Sequence, residues 1–334
     1  MSTQTRILPK SFVLSRLHSL TGLWIVLFLI EHLLTNSQAA LFLGEDGIGF
    51  IRMVNLIKSL PYLEVVEVVL IGVPILYHAA LGIHYAIKGR SNVVRSDGSK
   101  PSLQYTRNLA YTVQRLSAWI LLVGLIAHVA FMRFAIYPTE AKEGNQKFYF
   151  VRLSMDQGLY TVADRLGVKL YDQQKIQEQN LQLQSIESKI DLVQKRLYEV
   201  EKTQVDQGFS QEKMSIYESL QRLTQKKEWI LALGKRPILQ NQVIAVSKDF
   251  GTATLLNVRD AFKSPLKIGL YTVFVLAACF HAFNGLWTFM MTWGAMITVV
   301  AQKKVLRVCV ALMILLAFLG LSSIWGTYLM NLKS

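Results

Sequence analysis

The chain has 334 residues, 52% of them hydrophobic, with 36 Lys and Arg against 22 Asp and Glu and a formal net charge of +14. Evenly spread, that apolar content would suit a soluble domain, and the charge would suit a nucleic-acid binder. Placement argues against both. The apolar residues gather into five stretches, each long enough for the ~20 residues that cross about 30 Å of hydrocarbon, and the basic residues flank them.

The first stretch, Leu17–Phe42, is longer than the apolar core of a signal peptide and lacks a small-residue cleavage site, so it reads as a retained span. The second and third run over Leu63–Ile87 and Tyr111–Tyr137. From Pro138 to Pro265 the composition changes to 19 Lys and Arg with 16 Asp and Glu, a polar insert. Inside it, Leu183, Ile186, Ile190, Val193, Leu197 and Val200 follow the alternating 3-4 spacing of a coiled-coil seam. A turn is expected over Asp206–Ser210, with Gly208 at its centre and Ser210 as helix N-cap. Ile216, Leu220, Leu223 and Ile230 then resume a similar spacing, which predicts an antiparallel helical hairpin over about 172–233. The fourth and fifth spans are Leu266–Trp293 and Val305–Met330. The expected organisation is 1–138 for three spans, 139–262 for the insert and 263–334 for two more spans. The fold class is an all-α membrane protein, a four-helix core plus a fifth helix, interrupted by the coiled-coil hairpin.

Three basic clusters fix an orientation. Arg6/Lys10/Arg16, Lys88/Arg90/Arg95/Lys100/Arg107/Arg115 and Lys303/Lys304/Arg307 all fall on one side if five helices alternate in direction. The positive-inside rule makes that side cytoplasmic, with the insert and the C-terminus outside. Cys279 and Cys309 both lie within spans and read as small apolar residues rather than a disulfide or a metal site.

His32, His78, His128 and His281 each occupy a different span. An ionisable side chain in hydrocarbon is costly and marks a functional site by default. Four, one per helix, point to two haem irons, each held by two imidazoles. His32 is 16 residues past Arg16 and His128 is 13 past Arg115, which places both in the outer half. His78 is ten residues before Lys88, in the inner half. Depth alone leaves His281 near the middle, and it pairs with His78 by elimination. Gly82, Gly124 and Gly285 each lie four residues from one of these histidines and share its helix face, where a missing side chain gives a flat ring room. Pro74 should kink the second span and free the Leu70 carbonyl. Arg16, His18, Arg107 and Arg115 cluster at the inner boundary as possible partners for haem propionates. His84 points to another face and reads as a boundary residue. Glu67, one turn inside the outer end of the second span, is the candidate proton donor for quinone reduction. Glu31 adjoins His32 but should face away from it.

At these residues the chain resembles a known family. Arg16-Leu-His-Ser-Leu-Thr-Gly22, Glu31-His-Leu-Leu-Thr-Asn36, Ser59-Leu-Pro61, Tyr77-His-Ala-Ala-Leu-Gly82, Phe280-His-Ala-Phe-Asn-Gly-Leu-Trp287 and Thr292-Trp-Gly294 are similar to the single-polypeptide dihaem cytochrome b anchor of succinate dehydrogenase, the five-helix type shared with fumarate reductases. The resemblance implies two haems b, axial ligation by His32 with His128 and His78 with His281, and the inner position for His281. It also implies flavoprotein and iron–sulfur subunits docked on the cytoplasmic face of a bacterial-type inner membrane, with electrons delivered to menaquinone or another quinone. The departure is the insert, about 139–250, where the family has a short connection. Other functions that the histidines alone would admit are a stand-alone dihaem electron-transfer protein, a fumarate reductase anchor running in reverse, and a haem-free transporter with a histidine proton relay.

Overall fold

A computed structural model describes residues 8–41, 45–88, 106–203, 211–235 and 237–334. Arg6, Phe42, Arg90, Arg95 and Lys100, and the expected turn from Asp206 to Ser210, lie outside the described residues. Five described helices are long and apolar enough to cross a membrane. The first is α1 (Lys10–Ser37); a short α2 (Ile48–Lys58) then leads to the second, α3 (Leu63–Lys88), and the third is α4 (Thr106–Ala135). The insert follows as β1 (Thr139–Glu143), β2 (Gln146–Ser154), α5 (Leu159–Arg165), β3 (Lys169–Tyr171), α6 (Gln173–Leu181), α7 (Leu183–Thr203), α8 (Gln211–Gly234), β4 (Gln242–Ser247) and α9 (Phe250–Ala261). The last two spans are α10 (Pro265–Thr292) and α11 (Val299–Asn331). At 78% helix the chain is an all-α membrane protein that carries one small sheet.

Three of the spans begin well before their apolar stretches. α1 starts at Lys10 rather than Leu17, α4 at Thr106 rather than Tyr111, and α11 at Val299 rather than Val305. Hydropathy marks the residues that face hydrocarbon, whereas the backbone ladder continues into the basic flanks. Local signals set some of the starts: Ser264 caps α10 with Pro265 in its first turn, and the Thr298 hydroxyl caps α11. α1 packs against α3, α10 and α11, and α4 packs against α10. Pro74 lacks an N–H, and the helix before it widens to a π turn over Glu67–Gly72. The indole N–H of Trp24 on α1 donates to the Leu70 carbonyl. A neighbouring span thus satisfies a polar group that lipid would leave bare.

The four strands form one antiparallel sheet in the order β1-β2-β4-β3. Side chains alternate across it. Phe148, Phe150, Ile244 and Val246 face Trp229, Ala232 and Leu233 of α8 and Ile176 of α6. Val151, Leu153, Val243 and Ala245 join Leu255 and Leu256 of α9, in one apolar core that continues into the spans through Leu33, Val275 and Phe283. The sequence pattern predicts only the hairpin here. Both faces of the sheet are buried, so β2 and β4 read as short apolar runs rather than alternating strands. The expected seam of α7 is its shielded stripe, with Ile186 buried and Leu183, Ile190, Val193, Leu197 and Val200 half-buried. Lys227–Glu187 at 2.8 Å and Arg196–Glu212 at 3.2 Å join α7 to α8 in antiparallel sense.

Two polar clusters are prominent among the fastenings of the insert to the bundle. Asn55 of α2 donates to Asp249 Oδ1 at 3.0 Å and accepts from the Gly251 N–H at 2.7 Å. A Cβ at Gly251 would lie 2.5 Å from the Ile51 carbonyl oxygen, so α2 and α9 meet at a distance only glycine allows. The second fastening is Arg259, only 1% exposed. Its guanidinium grips Asp156 with two bonds of 2.7 Å, and its Nε donates to the Leu332 carbonyl, just beyond α11, at 2.5 Å. Lys263 adds an ion pair to Asp156 at 2.5 Å. Burial pushes the Asp156 carboxyl up, but the hydrogen bonds and charges of Arg259 and Lys263 outweigh it and hold the group at about 2, below its ordinary 3.8.

A carboxylate depressed in this way stabilises the fold fully above pH 3.8, and the stabilisation is lost as pH falls through about 2. Asp156→Asn should cost about 3–5 kcal/mol at neutral pH, because it leaves Arg259 buried without its counter-charge. Melting curves of the variant should lose the acid-dependent step that the parent shows over this range.

Candidate functional site

The four span histidines come together as two pairs. The rings of His32 on α1 and His128 on α4 have centres 5.9 Å apart and planes at 85°. Those of His78 on α3 and His281 on α10 are 6.3 Å apart at 83°. Gly22 lies against His78 and is ten residues before His32 on the same helix, so the two levels are ~15 Å apart along the bundle. Two imidazoles bound to one metal through bonds of about 2 Å, with about 1.1 Å from nitrogen to ring centre, have centres about 6.2 Å apart. Both pairs have that separation.

Three of the four rings have a hydrogen-bonded Nδ1. His78 Nδ1 donates to the His18 carbonyl at 3.0 Å. His281 Nδ1 is bonded to Ser117 Oγ at 3.2 Å, and His128 Nδ1 to Tyr271 Oη at 3.1 Å. Engaging Nδ1 in this way fixes the ring orientation and leaves Nε2 available to a metal. Gln114 holds the His78/His281 level further, donating to the His281 carbonyl at 3.1 Å and accepting from Asn284 at 2.9 Å. Among the described residues no three His, Cys, Asp or Glu side chains converge as a metal cage. The donor sets are pairs of imidazoles, which suits a planar macrocycle with two axial positions.

The expected glycines divide. A Cβ at Gly82 would meet His18 Cε1 at 3.7 Å, one at Gly285 would meet Gln114 Nε2 at 3.8 Å, and one at Gly124 would run into the Phe274 ring. The tightest approach to a histidine of either pair is at Gly22, where a Cβ would lie 2.9 Å from His78 Cε1. Among the cationic groups, His18 stacks on His78 at 4.0 Å and 11°, with its Nδ1 buried and unpartnered among the described residues. Arg16 donates to the Thr292 carbonyl and sits over Phe12 and Trp293. Arg115 donates to the Ala86 carbonyl at 2.5 Å, and Arg107 is exposed in the first turn of α4. His84 is exposed against Tyr85, and Glu31 is exposed and bonded to Thr35. At the insert end, Glu67 pairs with Arg133 at 3.0 Å. Arg133, Tyr62, Glu64 and Tyr137 help line a cleft of about 320 Å³ there. Cys279 and Cys309 are free and buried.

Gly22, Ser117 and Tyr271 were not singled out from sequence. A positional signal for them exists: each lies ten or eleven residues from the histidine on its own helix, and so at the level of the other pair.

No family model matches the chain, and no solved structure matches it. Among curated proteins it is 31% identical over 121 residues to the succinate dehydrogenase cytochrome b558 subunit of Bacillus subtilis (strain 168). At family level the resemblance stands. The aligned part is 36% of this chain, and the chain spans about half the length of that relative, 54%.

Gly22→Ala should force the His78 ring to move and cost about 1–3 kcal/mol. A thermal melt of the purified chain measures the loss, and Gly269→Ala, where a Cβ would meet nothing within 4 Å, is the control.

Proposed function

We propose that this chain is the membrane-anchoring cytochrome b subunit of a succinate dehydrogenase, holding two haems b and passing electrons from an iron–sulfur partner to menaquinone or another quinone. The observation that supports this reading is the two histidine pairs, each at the separation of two ligands of one metal, with the Nδ1 of His78, His281 and His128 hydrogen-bonded to a neighbouring helix. Haem b bound at these positions supplies one-electron transfer, and two imidazoles leave its iron no open position for oxygen.

In this proposal His32 and His128 hold the outer iron, and His78 and His281 hold the inner one. Ser117, Tyr271 and the His18 carbonyl set the ring planes. Gly22, Gly82, Gly124 and Gly285 keep side chains out of the space between helices. Arg16, His18, Arg107 and Arg115 serve the propionates, with His18 best supported by its buried, unpartnered Nδ1. The flavoprotein and iron–sulfur subunits dock at the end where α1 begins and α3 finishes, on the cytoplasmic side, while the insert lies outside. Glu67 donates a proton to quinone at the outer end, with Arg133 holding its carboxylate in place between turnovers.

Purified protein should contain two haems per chain. Ala at His32 or His128 should remove one haem, and Ala at His78 or His281 the other, each leaving one per chain by pyridine haemochrome assay. A purified chain with no haem band would overturn the reading. Glu67→Gln should slow quinone reduction by about 10²-fold or more with both haem spectra intact. Unchanged turnover would remove Glu67 from the proton path.

A further inference from the structure

Lys58, the last residue of α2, lies outside the spans and lines the cleft beside Arg133 and Tyr137. Its ammonium donates to Tyr137 Oη at 3.1 Å and sits 4.8 Å from the centre of the Phe250 ring. Phe250 in turn packs on Tyr137 at 5.3 Å and on Tyr149 at 5.5 Å. Two of these three rings, Tyr149 of β2 and Phe250 of α9, belong to the insert. The cation is therefore held from two sides, by Tyr137 just beyond the third span and by Phe250 of the insert, which Tyr149 backs. Burial works against the Lys58 charge, but the hydrogen bond to Tyr137 and the charges of Tyr137, Glu140 and Tyr149 outweigh it and raise its pKa, so the group stays an ammonium.

The lining also limits what the cleft accepts. Arg133 is committed to Glu67, Glu64 adds a second carboxylate, and Leu63 and Val65 supply apolar wall. A phosphate would meet Glu64 with only Lys58 to balance it. A flat neutral ring bearing carbonyl oxygens meets apolar wall and one strong donor. An ammonium has three N–H donors, of which Tyr137 takes one.

We propose that the insert is a working part of the quinone cleft: its Phe250, backed by Tyr149, holds Lys58 together with Tyr137 so that the ammonium donates a hydrogen bond to a carbonyl oxygen of the bound quinone. Lys58 is the binding group, and Phe250 is a positioning residue that acts through it. The proposal rests on the quinone-reducing reading above and adds a substrate contact and a role for the insert.

The test uses the full chain, reduced in detergent, and follows haem reoxidation by menadione across a range of quinone concentrations. Lys58→Met should raise the half-saturating menadione concentration about tenfold or more, the expected loss of a hydrogen bond from a charged donor, with the saturating rate much less affected. Lys58→Arg should recover most of it. Phe250→Leu, which keeps volume and loses the aromatic face, should raise the half-saturating concentration about threefold with haem content unchanged. Unchanged half-saturation in Lys58→Met with both haems bound overturns the proposal and leaves the haem assignment standing. A Phe250→Leu variant that melts earlier yet binds menadione normally overturns the positioning role. If Lys58→Met loses haem, the comparison moves to Lys58→Gln, and the same criteria decide. A parent chain without haem defeats the underlying reading instead.

Discussion

An imidazole placed in hydrocarbon has two nitrogens to satisfy and no water to help. That demand organises the bundle. At one level, His78 takes a backbone carbonyl from α1 and His281 takes a hydroxyl from α4; at the other, His128 takes the phenol of Tyr271 on α10. Each bond crosses between helices, so orienting a ring and packing two spans are the same event. The stacked His18 and the bare backbone of Gly22 crowd the His78/His281 level, whereas the His32/His128 level is ringed by Tyr271, Phe274 and Phe28. The two levels therefore differ in polarity, and such differences set the potentials of bound metals.

The insert is continuous with the membrane bundle. One face of its sheet shares an apolar core with α9 and the ends of the spans, and the other carries the root of the long hairpin. The hairpin depends on the sheet for its base, and α9 carries the sheet's other face onto the core shared with the spans. The cleft at this end accordingly draws its walls from both parts.

The spans, the depths of His32, His78 and His128 and the freed Leu70 carbonyl were legible because each follows from counting along one helix: apolar length, distance from a basic flank, or a missing N–H at Pro74. The seam of α7 was legible for the same reason. Counting left His281 near the middle, and its partner came only by elimination. What one helix cannot report is its neighbour. Trp24 as the acceptor's partner, Ser117 and Tyr271 as orienting groups, and Gly22 beneath His78 are facts about pairs of helices. The sheet was hidden because burial on both faces removes the alternation that betrays a strand. β3, with three residues, offers too little pattern to read.

Arg259 carries a further consequence. Its buried guanidinium needs Asp156, early in the insert, and the carbonyl of Leu332, which follows the last span. Translation delivers these groups far apart in time. Until α11 is in place, the cation lacks one of its oxygens, and the insert cannot close fully around it. Completion of membrane insertion is thereby written into the maturation of the extramembrane part, and a chain stalled before its final crossing would present a half-open module to quality-control proteases.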